Sequence, residues 1–290
     1  MDKLSAFVVA YNRAHIIGTC LRALRFADEI IVVDKSSTDD TRAVAERYAT
    51  RVVTVPWSPT VEETREYALS LCRHDWIVFL DDDECLSPAT ASFVRAQIAR
   101  RQADIFEFPL RHYILGVHDE AAYYWPEHHV RLFRRGTVGF TGTVHGGIHK
   151  LTDRIMRIRP ETGVCIHHLS HPDVASWIER TNRYTSRPDR TRGEDPGYDL
   201  AGYAHARIHH WMARSKDTTP GGYPAAVAVL RAVYDIVDRL KTWEEARGLD
   251  GHTLLLGACE RLDAVRPPRS FLTRLKDRLL SRPVFRRPRG

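Results

Sequence analysis

Patterns typical of buried strands alternate with patterns typical of helices along the first hundred residues, and this alternation constrains the fold more than any other feature. Short apolar runs rich in Val, Ile and Phe predict strands at residues 4–10, 29–34, 51–55 and 76–80. Helical spacing predicts helices at residues 16–24, 41–49, 61–72 and 88–100, with Asn12 and Ser87 as N-caps of the first and the last. Strands that alternate with helices form a parallel sheet covered on both faces, so the sequence predicts an α/β fold.

The pattern changes near Asp104. Strands at 105–113 and 129–133 follow with no helix between them, and a turn or short hairpin is expected at 138–149. Helices are predicted at 171–187, 200–214, 222–247 and 253–262, and the charged stretch 188–197 predicts a linker. We therefore expect an α/β domain at residues 1–187, a helical C-terminal region at 188–269 and a basic tail at 270–290.

Three polar loops begin where predicted strands end. They are the loops at residues 11–13, at residues 34–36 and at residues 81–84. Ligands of open α/β sheets bind beyond the carboxyl ends of the strands, so these loops are expected to form one site.

Residues 81–84, three Asp and one Glu, carry the strongest chemical signal. A divalent cation would reverse the repulsion between these carboxylates and a diphosphate. Mg²⁺ or Mn²⁺ suits this role, because such ions share oxygen ligands with substrate phosphates. Asp81 and Asp83 point to the same side of an extended chain and are candidate metal ligands. The alternative is an acidic turn in which Glu84 stabilises the start of a helix.

Three motifs occur in order between residues 4 and 90 and together resemble the family 2 glycosyltransferases. They are Val-Val-Ala-Tyr-Asn at 8–12, Ala-Asp-Glu-Ile-Ile-Val-Val-Asp at 27–34 with its polar turn, and the run from Asp75 to Glu84. A weaker likeness continues at residues 125–135, 144–146 and 168–170. The resemblance is strongest to the branch that includes bacterial lipopolysaccharide core glucosyltransferases.

The resemblance implies a GT-A fold, a UDP-sugar or related donor, and direct transfer of the sugar to an acceptor hydroxyl in cell-envelope glycan or natural-product biosynthesis. The acceptor would be a saccharide, a lipid-linked sugar or a small molecule, and a homodimer is compatible with the sequence. For Arg65, a place near the donor and a place on a solvated helix face stay equally open. The residues expected to bind the donor are Ala10, Tyr11, Asn12, Arg13, Asp34, Lys35, Ser36, Arg65, Asp81, Asp82 and Arg131.

The residue that takes the acceptor proton is less clear from the sequence. The branch usually has Val-His-Glu where this chain has Val144-His145-Gly146, so the expected Glu is replaced by Gly146. A carboxylate or a His within hydrogen-bond reach is needed instead. His145 is the first candidate, Glu127 the second and Asp119 a third.

Histidines and aromatic residues of the second half add two further expectations. His168 is a candidate third metal ligand beside Asp83 and Asp81, or a phosphate contact, and a packed histidine at a strand end is the alternative. His128, His129, His209 and His210 are left as surface or packing residues. Aromatic side chains that could form an acceptor wall, or simply pack, are Tyr113, Tyr123, Tyr124 and Trp125.

Charge and targeting patterns limit the partners. The net charge is +6, and the last twenty residues hold seven Arg and Lys against one Asp, so the rest is near neutral. This distribution argues against nucleic-acid binding. The tail either contacts an anionic membrane surface through an amphipathic helix at 270–280 or stays solvated. The five cysteines show no C-x-x-C spacing, and no apolar run approaches about 20 residues. Both patterns favour a cytoplasmic protein, which would lie at the inner face of the membrane if the tail binds there.

Two other functions stay open at this stage. A sugar nucleotidyltransferase could share such a sheet and its acidic residues, but it would need a Gly-rich phosphate loop after the first strand, and residues 9–13 offer none. A nucleotide-sugar-binding protein with impaired catalysis is the second alternative, because Gly146 stands where a Glu is expected.

Overall fold

The fold was analysed in a computed structural model, which describes residues 2–58, 61–140, 148–187, 199–248 and 250–264. Its main sheet has the strand order β3-β2-β1-β4-β7-β6-β11-β5, with β10 paired to β6, and β8 and β9 form a separate pair. The elements of the first hundred residues are β1 (Leu4–Ala10), α1 (Ile17–Ala23), β2 (Glu29–Asp34), α2 (Thr41–Ala45), β3 (Arg51–Thr54), α3 (Glu62–Leu71), β4 (Trp76–Asp81), β5 (Glu84–Leu86) and α4 (Pro88–Arg100).

The second half contains the other strands and helices. They are β6 (Ile105–Ile114), β7 (Glu127–Arg134), β8 (Val138–Phe140), β9 (Ile148–Lys150), β10 (Ile155–Arg157), β11 (Ile166–His171), α5 (Val174–Thr185), α6 (Leu200–Arg214), α7 (Tyr223–Ala246) and α8 (Gly251–Ala264). Among the described residues, no helix is long and apolar enough to cross a membrane.

Strand β1 lies at the centre of the parallel part of the sheet and is buried along its whole length. It pairs in parallel with β2 and with β4, as the alternating pattern predicted. Its side chains alternate between two cores: Leu4, Ala6 and Val8 pack with α1 and α4, whereas Phe7 and Val9 pack on the side of α3. The two-residue period of a strand therefore produces a sheet covered by helices on both faces.

The sheet becomes mixed after α4. Strand β7 runs antiparallel between β4 and β6, with Ile77 opposite Phe133 and Ile105 also opposite Phe133. Strand β11 then pairs in parallel with β6 and antiparallel with the short β5, where His168 lies opposite Glu84. This last pairing joins β5, which follows the turn after β4, to a strand whose paired residues lie 80 to 84 positions later in the sequence.

Two helix predictions need correction. Asn12 does not cap α1: its φ is 53°, Ile16 holds the N-cap position, and the side chain of Asn12 binds the next loop instead. The helix predicted at 171–187 begins at Val174, because residues up to His171 continue β11. Asp173 caps this helix by accepting a 2.7 Å hydrogen bond from the Ser176 N–H.

The C-terminal helices α5 and α7 pack against the segment between β6 and β7. A third apolar cluster joins Ile114, Tyr124, Trp125, Trp177 and Val227. The indole N–H of Trp177 donates to the Leu230 carbonyl at 3.2 Å. The predicted linker lies within residues 188–198 and the predicted tail helix within 265–290, both outside the described residues, so the domain boundaries stay predictions.

Candidate active site

The three predicted loops meet at the carboxyl edge of the parallel strands. The Asn12 N–H donates to Ser37 Oγ at 2.9 Å, and the Thr38 N–H donates to Asn12 Oδ1 at 2.8 Å. Arg13 Nε donates to Asp82 Oδ1 at 3.0 Å. Hydrogen bonds thus join the loop after β1 to the loop after β2 and to the acidic run after β4.

The loops after β1 and β2 form one side of the site. The Lys35 N–H donates to the Ala10 carbonyl at 2.9 Å, and the buried Asp34 carboxylate accepts from the Ser37 N–H at 3.3 Å. Ser36 Oγ donates to the Val55 carbonyl at 2.8 Å. These bonds fix the backbone of the predicted donor-binding residues before any ligand is present.

Tyr11 projects from this side and is 36% exposed. Its ring centroid lies 6.1 Å from that of Trp57, which is 55% exposed. Trp57 is not among the site residues predicted from the sequence. Two exposed rings beside a polar site form a surface on which a flat heteroaromatic group can pack.

Asp81 ends β4 on the face of the sheet that carries α3. It accepts from Arg65 on α3 and, at 3.2 Å, from Arg131 Nη2 on β7. Burial alone would raise the pKa of Asp81, but the two guanidinium groups lower it to about 2. Asp81 is therefore ionised at neutral pH, and Arg65 lies at the site and not on a solvated helix face.

Arg131 is tied mainly to Glu84. Arg131 Nε and Nη2 donate to the two oxygens of Glu84, each at 2.7 Å, and the side chains are only 6% and 1% exposed. Glu84 Oε2 also accepts from the Asp81 N–H at 3.1 Å. The pair therefore holds the acidic run in place, and the donor contact predicted for Arg131 stays a prediction.

Asp83 lies in the turn that follows β4, and cationic groups surround it. His168 Nε2 lies 3.3 Å from Asp83 Oδ1, and Arg180 Nη2 and Arg13 Nη2 lie 3.4 and 3.7 Å from Oδ2. Burial opposes ionisation of Asp83, but His168, Arg180 and Arg13 together lower its pKa. Burial raises the pKa of the neighbouring Asp82 to about 7 despite its contact with Arg13.

A line of histidines connects His168 to Glu127. His168 Nδ1 and His112 Nδ1 are 2.8 Å apart, and His112 Nε2 lies 3.2 Å from Glu127 Oε2. His129 Nε2 contacts the other oxygen of Glu127 at 3.2 Å. The hydrogen bonds from His112 and His129 lower the pKa of Glu127, so this carboxylate is ionised. His129, which the sequence analysis left as a surface or packing residue, thus orients a candidate base.

Two cavities meet at these histidines. A strand-end cavity of about 450 Å³ is lined by Arg65, Asp81 and Arg131, among others. An aromatic cavity of about 530 Å³ is lined by Tyr123, Tyr124, Trp177, Tyr184, Trp211 and Tyr234 together with polar residues. His112, Glu127 and His168 line both cavities. Glu127 is 53% exposed, so its carboxylate can be reached from the space where the cavities join.

Some of the other residues predicted from the sequence line a cavity, and others do not. Asp119 accepts from the Ala121 N–H at 2.8 Å within a turn and lines neither cavity. Tyr123 and Tyr124 line the aromatic cavity, whereas Tyr113 contacts His167 and Trp125 is buried in the third apolar cluster. His145 and Gly146 lie outside the described residues, so the role predicted for His145 stays a prediction.

Asp83 and His168 are the residues that could hold a divalent cation together with the oxygens of a bound substrate. No group of three or more His, Cys, Asp or Glu side chains in the described part of the chain is arranged to hold a metal alone. The 3.3 Å between Asp83 Oδ1 and His168 Nε2 is close to the roughly 3 Å between adjacent ligand atoms of an octahedral ion with bonds of about 2.1 Å. Two protein ligands leave positions for the oxygens of a diphosphate and for water.

The chain is similar to known glycosyltransferases. The model of Glycosyl transferase family 2 matches residues 5–151. An uncharacterized glycosyltransferase of Rickettsia felis is 31% identical over 196 residues, which are 64% of this chain and 69% of that protein. The lipopolysaccharide core biosynthesis glycosyltransferase LpsC of Rhizobium meliloti is 29% identical over 158 residues, 50% of this chain and 56% of that protein. The chain thus spans only part of the curated relatives it matches.

Among solved structures, S. aureus TarS aligns with 16% identity and a TM-score of 0.47, over 83% of this chain and 55% of that chain. TarS 1–349 in complex with UDP-GlcNAc aligns with 14% identity and a TM-score of 0.46, over 85% and 92%. The family match itself covers half of this chain and contains β1 to β4 with all three loops of the site. The chain therefore belongs to glycosyl transferase family 2, and the predicted GT-A fold, an α/β sheet flanked by helices with a helical C-terminal extension, is confirmed.

Proposed function

We propose that the protein is a metal-dependent hexosyltransferase that moves a sugar from a UDP-sugar to an acceptor hydroxyl. The observation that carries this proposal is the contact between Asp83 and His168, with Arg13 and Arg180 beside it. Strand-end acids, an imidazole and two guanidinium groups at one point suit a diphosphate that binds together with a divalent cation.

The donor is assigned to the edge formed by the loops after β1, β2 and β4. The rings of Tyr11 and Trp57 suit the face of the base, and the buried Asp34 ends β2 opposite Ala10, the residue before Tyr11. Asp81 has its oxygens on Arg65 and Arg131, so we assign it to the ribose side of the donor and to the orientation of Arg65. Asp83 is the carboxylate that we assign to the metal, because it faces His168, whose imidazole can bind the same ion.

Asp83 and His168 would hold Mg²⁺ or Mn²⁺. Such an ion supplies charge stabilisation for the leaving diphosphate. The chain contributes the orientation: His168 Nδ1 contacts His112, which fixes the imidazole ring with Nε2 toward Asp83. Arg13 and Arg180 lie within 4 Å of Asp83, so they can contact phosphate oxygens at the same place.

Glu127 is assigned as the base that takes the acceptor proton. Its carboxylate is ionised, half exposed and held by His112 and His129 where the two cavities join. As the acceptor oxygen forms its bond to the anomeric carbon and the bond to the diphosphate breaks, the hydroxyl proton passes to a Glu127 oxygen. His145, the first candidate from the sequence, lies outside the described residues and stays the alternative for this role.

The proposal is tested on the donor side with Asp83→Asn. We expect this variant to bind UDP in the presence of Mn²⁺ at least about tenfold more weakly than the parent, because a metal ligand is lost. Without metal, the two proteins should bind UDP alike. Isothermal titration calorimetry with and without Mn²⁺ measures both affinities. Asp40→Asn is the control, because Asp40 is an exposed carboxylate at the same sheet edge. Unchanged metal-dependent affinity in Asp83→Asn would refute the assignment.

Turnover separates the transferase from its alternatives. A screen of nucleotide sugars with Mn²⁺, read out as release of the free nucleoside diphosphate, should identify at least one donor that is slowly hydrolysed. Release of pyrophosphate from a nucleoside triphosphate and a sugar phosphate would favour the nucleotidyltransferase. Donor binding without hydrolysis or transfer would favour the impaired binding protein.

A further inference from the structure

The wall of the aromatic cavity that α6 and α7 form combines aromatic rings with guanidinium groups. Trp211 on α6 is its centre, with its ring centroid 5.1 Å from that of Tyr123. The guanidinium carbon of Arg231 lies 4.6 Å from the ring centroids of both Trp211 and Tyr234. The guanidinium carbon of Arg214 lies 5.3 Å from the Trp211 ring. Two rings thus flank the Arg231 guanidinium group, and one ring lies beside that of Arg214.

Positive charge exceeds negative charge on this wall. The Asp235 carboxylate accepts from Arg207 Nη2 at 2.6 Å, from Arg231 Nη1 at 2.7 Å and from Trp211 Nε1 at 2.7 Å. One carboxylate therefore serves two guanidinium groups. Arg214 is exposed, and no acidic side chain in the described segments forms an ion pair with it. The Arg214 side chain makes no hydrogen bond or ion pair with another described residue, so its guanidinium donors are available to an anionic ligand.

Strand β11 contributes two polar residues to the lining of the same cavity. Ser170 and His171 line the aromatic cavity and are each 8% exposed. Ser170 Oγ and His171 Nδ1 have no hydrogen-bond partner among the described residues. Buried polar groups in native proteins are nearly always satisfied, so a ligand that carries hydroxyl groups would supply the missing partners.

We infer that the aromatic cavity binds the acceptor, and that this acceptor is a saccharide with an anionic group, a phosphate or a carboxylate, held by Arg214 and Arg231. The inference deepens the proposed transfer reaction and rests on it. Sugar faces pack on Trp211 and Tyr123, and guanidinium groups bind phosphate or carboxylate through paired hydrogen bonds. Glu127 lines the same cavity, so a ligand that fills it presents a hydroxyl to the proposed base.

A neutral saccharide can pack on the same rings. The test therefore compares the affinities of the cavity for anionic and neutral saccharides. Glucose 6-phosphate, glucuronate and glucose serve as probes, and saturating UDP with Mn²⁺ keeps the phosphate probe out of the donor edge. Saturation-transfer NMR on the full chain gives the affinity for each probe. We expect at least one anionic probe to bind about tenfold more tightly than glucose, which is the effect of a charge-assisted pair of hydrogen bonds. The better of the two anions identifies phosphate or carboxylate as the natural group.

Arg214→Gln should abolish the preference and leave the affinity for glucose unchanged. The change is mild, because Arg214 is exposed and its contact is with the face of Trp211. Arg247→Gln is the matched control: Arg247 also packs on a ring, 4.5 Å from the centroid of Trp243, but does not line the cavity.

Two results would overturn the inference. One is equal binding of the three probes to the parent, and the other is an anion preference that persists in Arg214→Gln. Binding of UDP with Mn²⁺ is measured in the same samples. Normal UDP binding with either result removes the anionic acceptor and leaves the transferase proposal intact. Loss of UDP binding in the parent removes the transferase proposal, while the probe affinities still decide whether the cavity selects an anionic sugar.

Discussion

Replacing Arg131 with Met is expected to lower the free energy of unfolding by about 3 kcal/mol, because the buried Glu84 carboxylate would lose both guanidinium contacts. The two donors lie 2.7 Å from the Glu84 oxygens, and the side chains are 6% and 1% exposed. Breaking a buried pair by removing one partner costs about 3 to 5 kcal/mol. We take the lower end, because Glu84 keeps the hydrogen bond from the Asp81 N–H at 3.1 Å.

The same reasoning gives the other corners of a double-mutant cycle. Glu84→Gln is expected to cost about 3 kcal/mol, because the only anionic partner that Arg131 keeps among the described residues is Asp81 at 3.2 Å, besides its 3.0 Å bond to the Val130 carbonyl. The double variant removes both charges, so it should lose only about 2 kcal/mol, less than either single variant. A coupling of this sign and size means that the two side chains stabilise the fold as a unit.

Urea unfolding followed by tryptophan fluorescence measures the four stabilities, and calorimetry measures UDP binding with Mn²⁺ in the same proteins. Arg42→Met is the control: its ion pair with Glu46 is 55% and 52% exposed, and its loss should cost less than about 1 kcal/mol. Parent-like stability of Arg131→Met together with lost UDP binding would refute the reasoning. Arg131 would then be a donor ligand, as the sequence resemblance implied, and not the residue that positions the acidic run.

Two further predictions concern the histidine-rich side of the site. Glu127→Gln should lower turnover about 100-fold or more and change the affinity for UDP little. Glu120→Gln, at an exposed carboxylate, is the control. Parent-like turnover of Glu127→Gln in steady-state assays would show that Glu127 is not the base. Burial lowers the pKa of His171 from 6.5 to about 3, so folding keeps this ring neutral while the unfolded chain binds a proton. The contribution of the neutral His171 ring to the free energy of unfolding is therefore complete above pH 6.5. This contribution is lost as the pH falls toward 3, by at most about 1.4 kcal/mol per pH unit. Urea unfolding at pH 7, 6, 5 and 4 should show a shallower decline in His171→Asn than in the parent, and parallel declines would contradict this prediction.

The first four strands and the position of the site could be predicted from the sequence because local patterns determine them. Strand β1 is buried on both sides, so its apolar run predicts a central strand, and Ser87 caps α4 through a local bond to the Thr90 N–H at 3.1 Å. The rule that ligands bind at strand ends needs only the strand assignment. The hydrogen bonds from Asn12 to Ser37 and from Arg13 to Asp82 confirm that the three loops meet.

The residues that the sequence analysis missed are joined by long-range register. His112 contacts His168 because β6 and β11 pair in parallel with these two residues opposite one another, although 56 positions separate them in the chain. Arg180 reaches Asp83 only because α5 follows directly on β11. The irregular alternation of residues 104–171 does not reveal this pairing, because a slip of one residue would turn every side chain to the other face.

The roles of residues 81–84 follow from where the strand ends. Asp81 is the last residue of β4, and strand alternation places it on the face of Ile77 and Phe79. The guanidinium carbons of Arg65 and Arg131 lie 5.6 and 4.7 Å from the centroid of the Phe79 ring, so that face already holds the cations that pair with Asp81. The chain then turns, and Asp83 leaves this face and points to His168 on β11. Glu84 begins β5, and its buried pair with Arg131 fixes the turn between the two carboxylates. A shift of the strand end by one residue would place Asp82 on this face instead of Asp81. The buried pair of Glu84 and Arg131 fixes the strand end, so the carboxylates of the acidic run keep different partners.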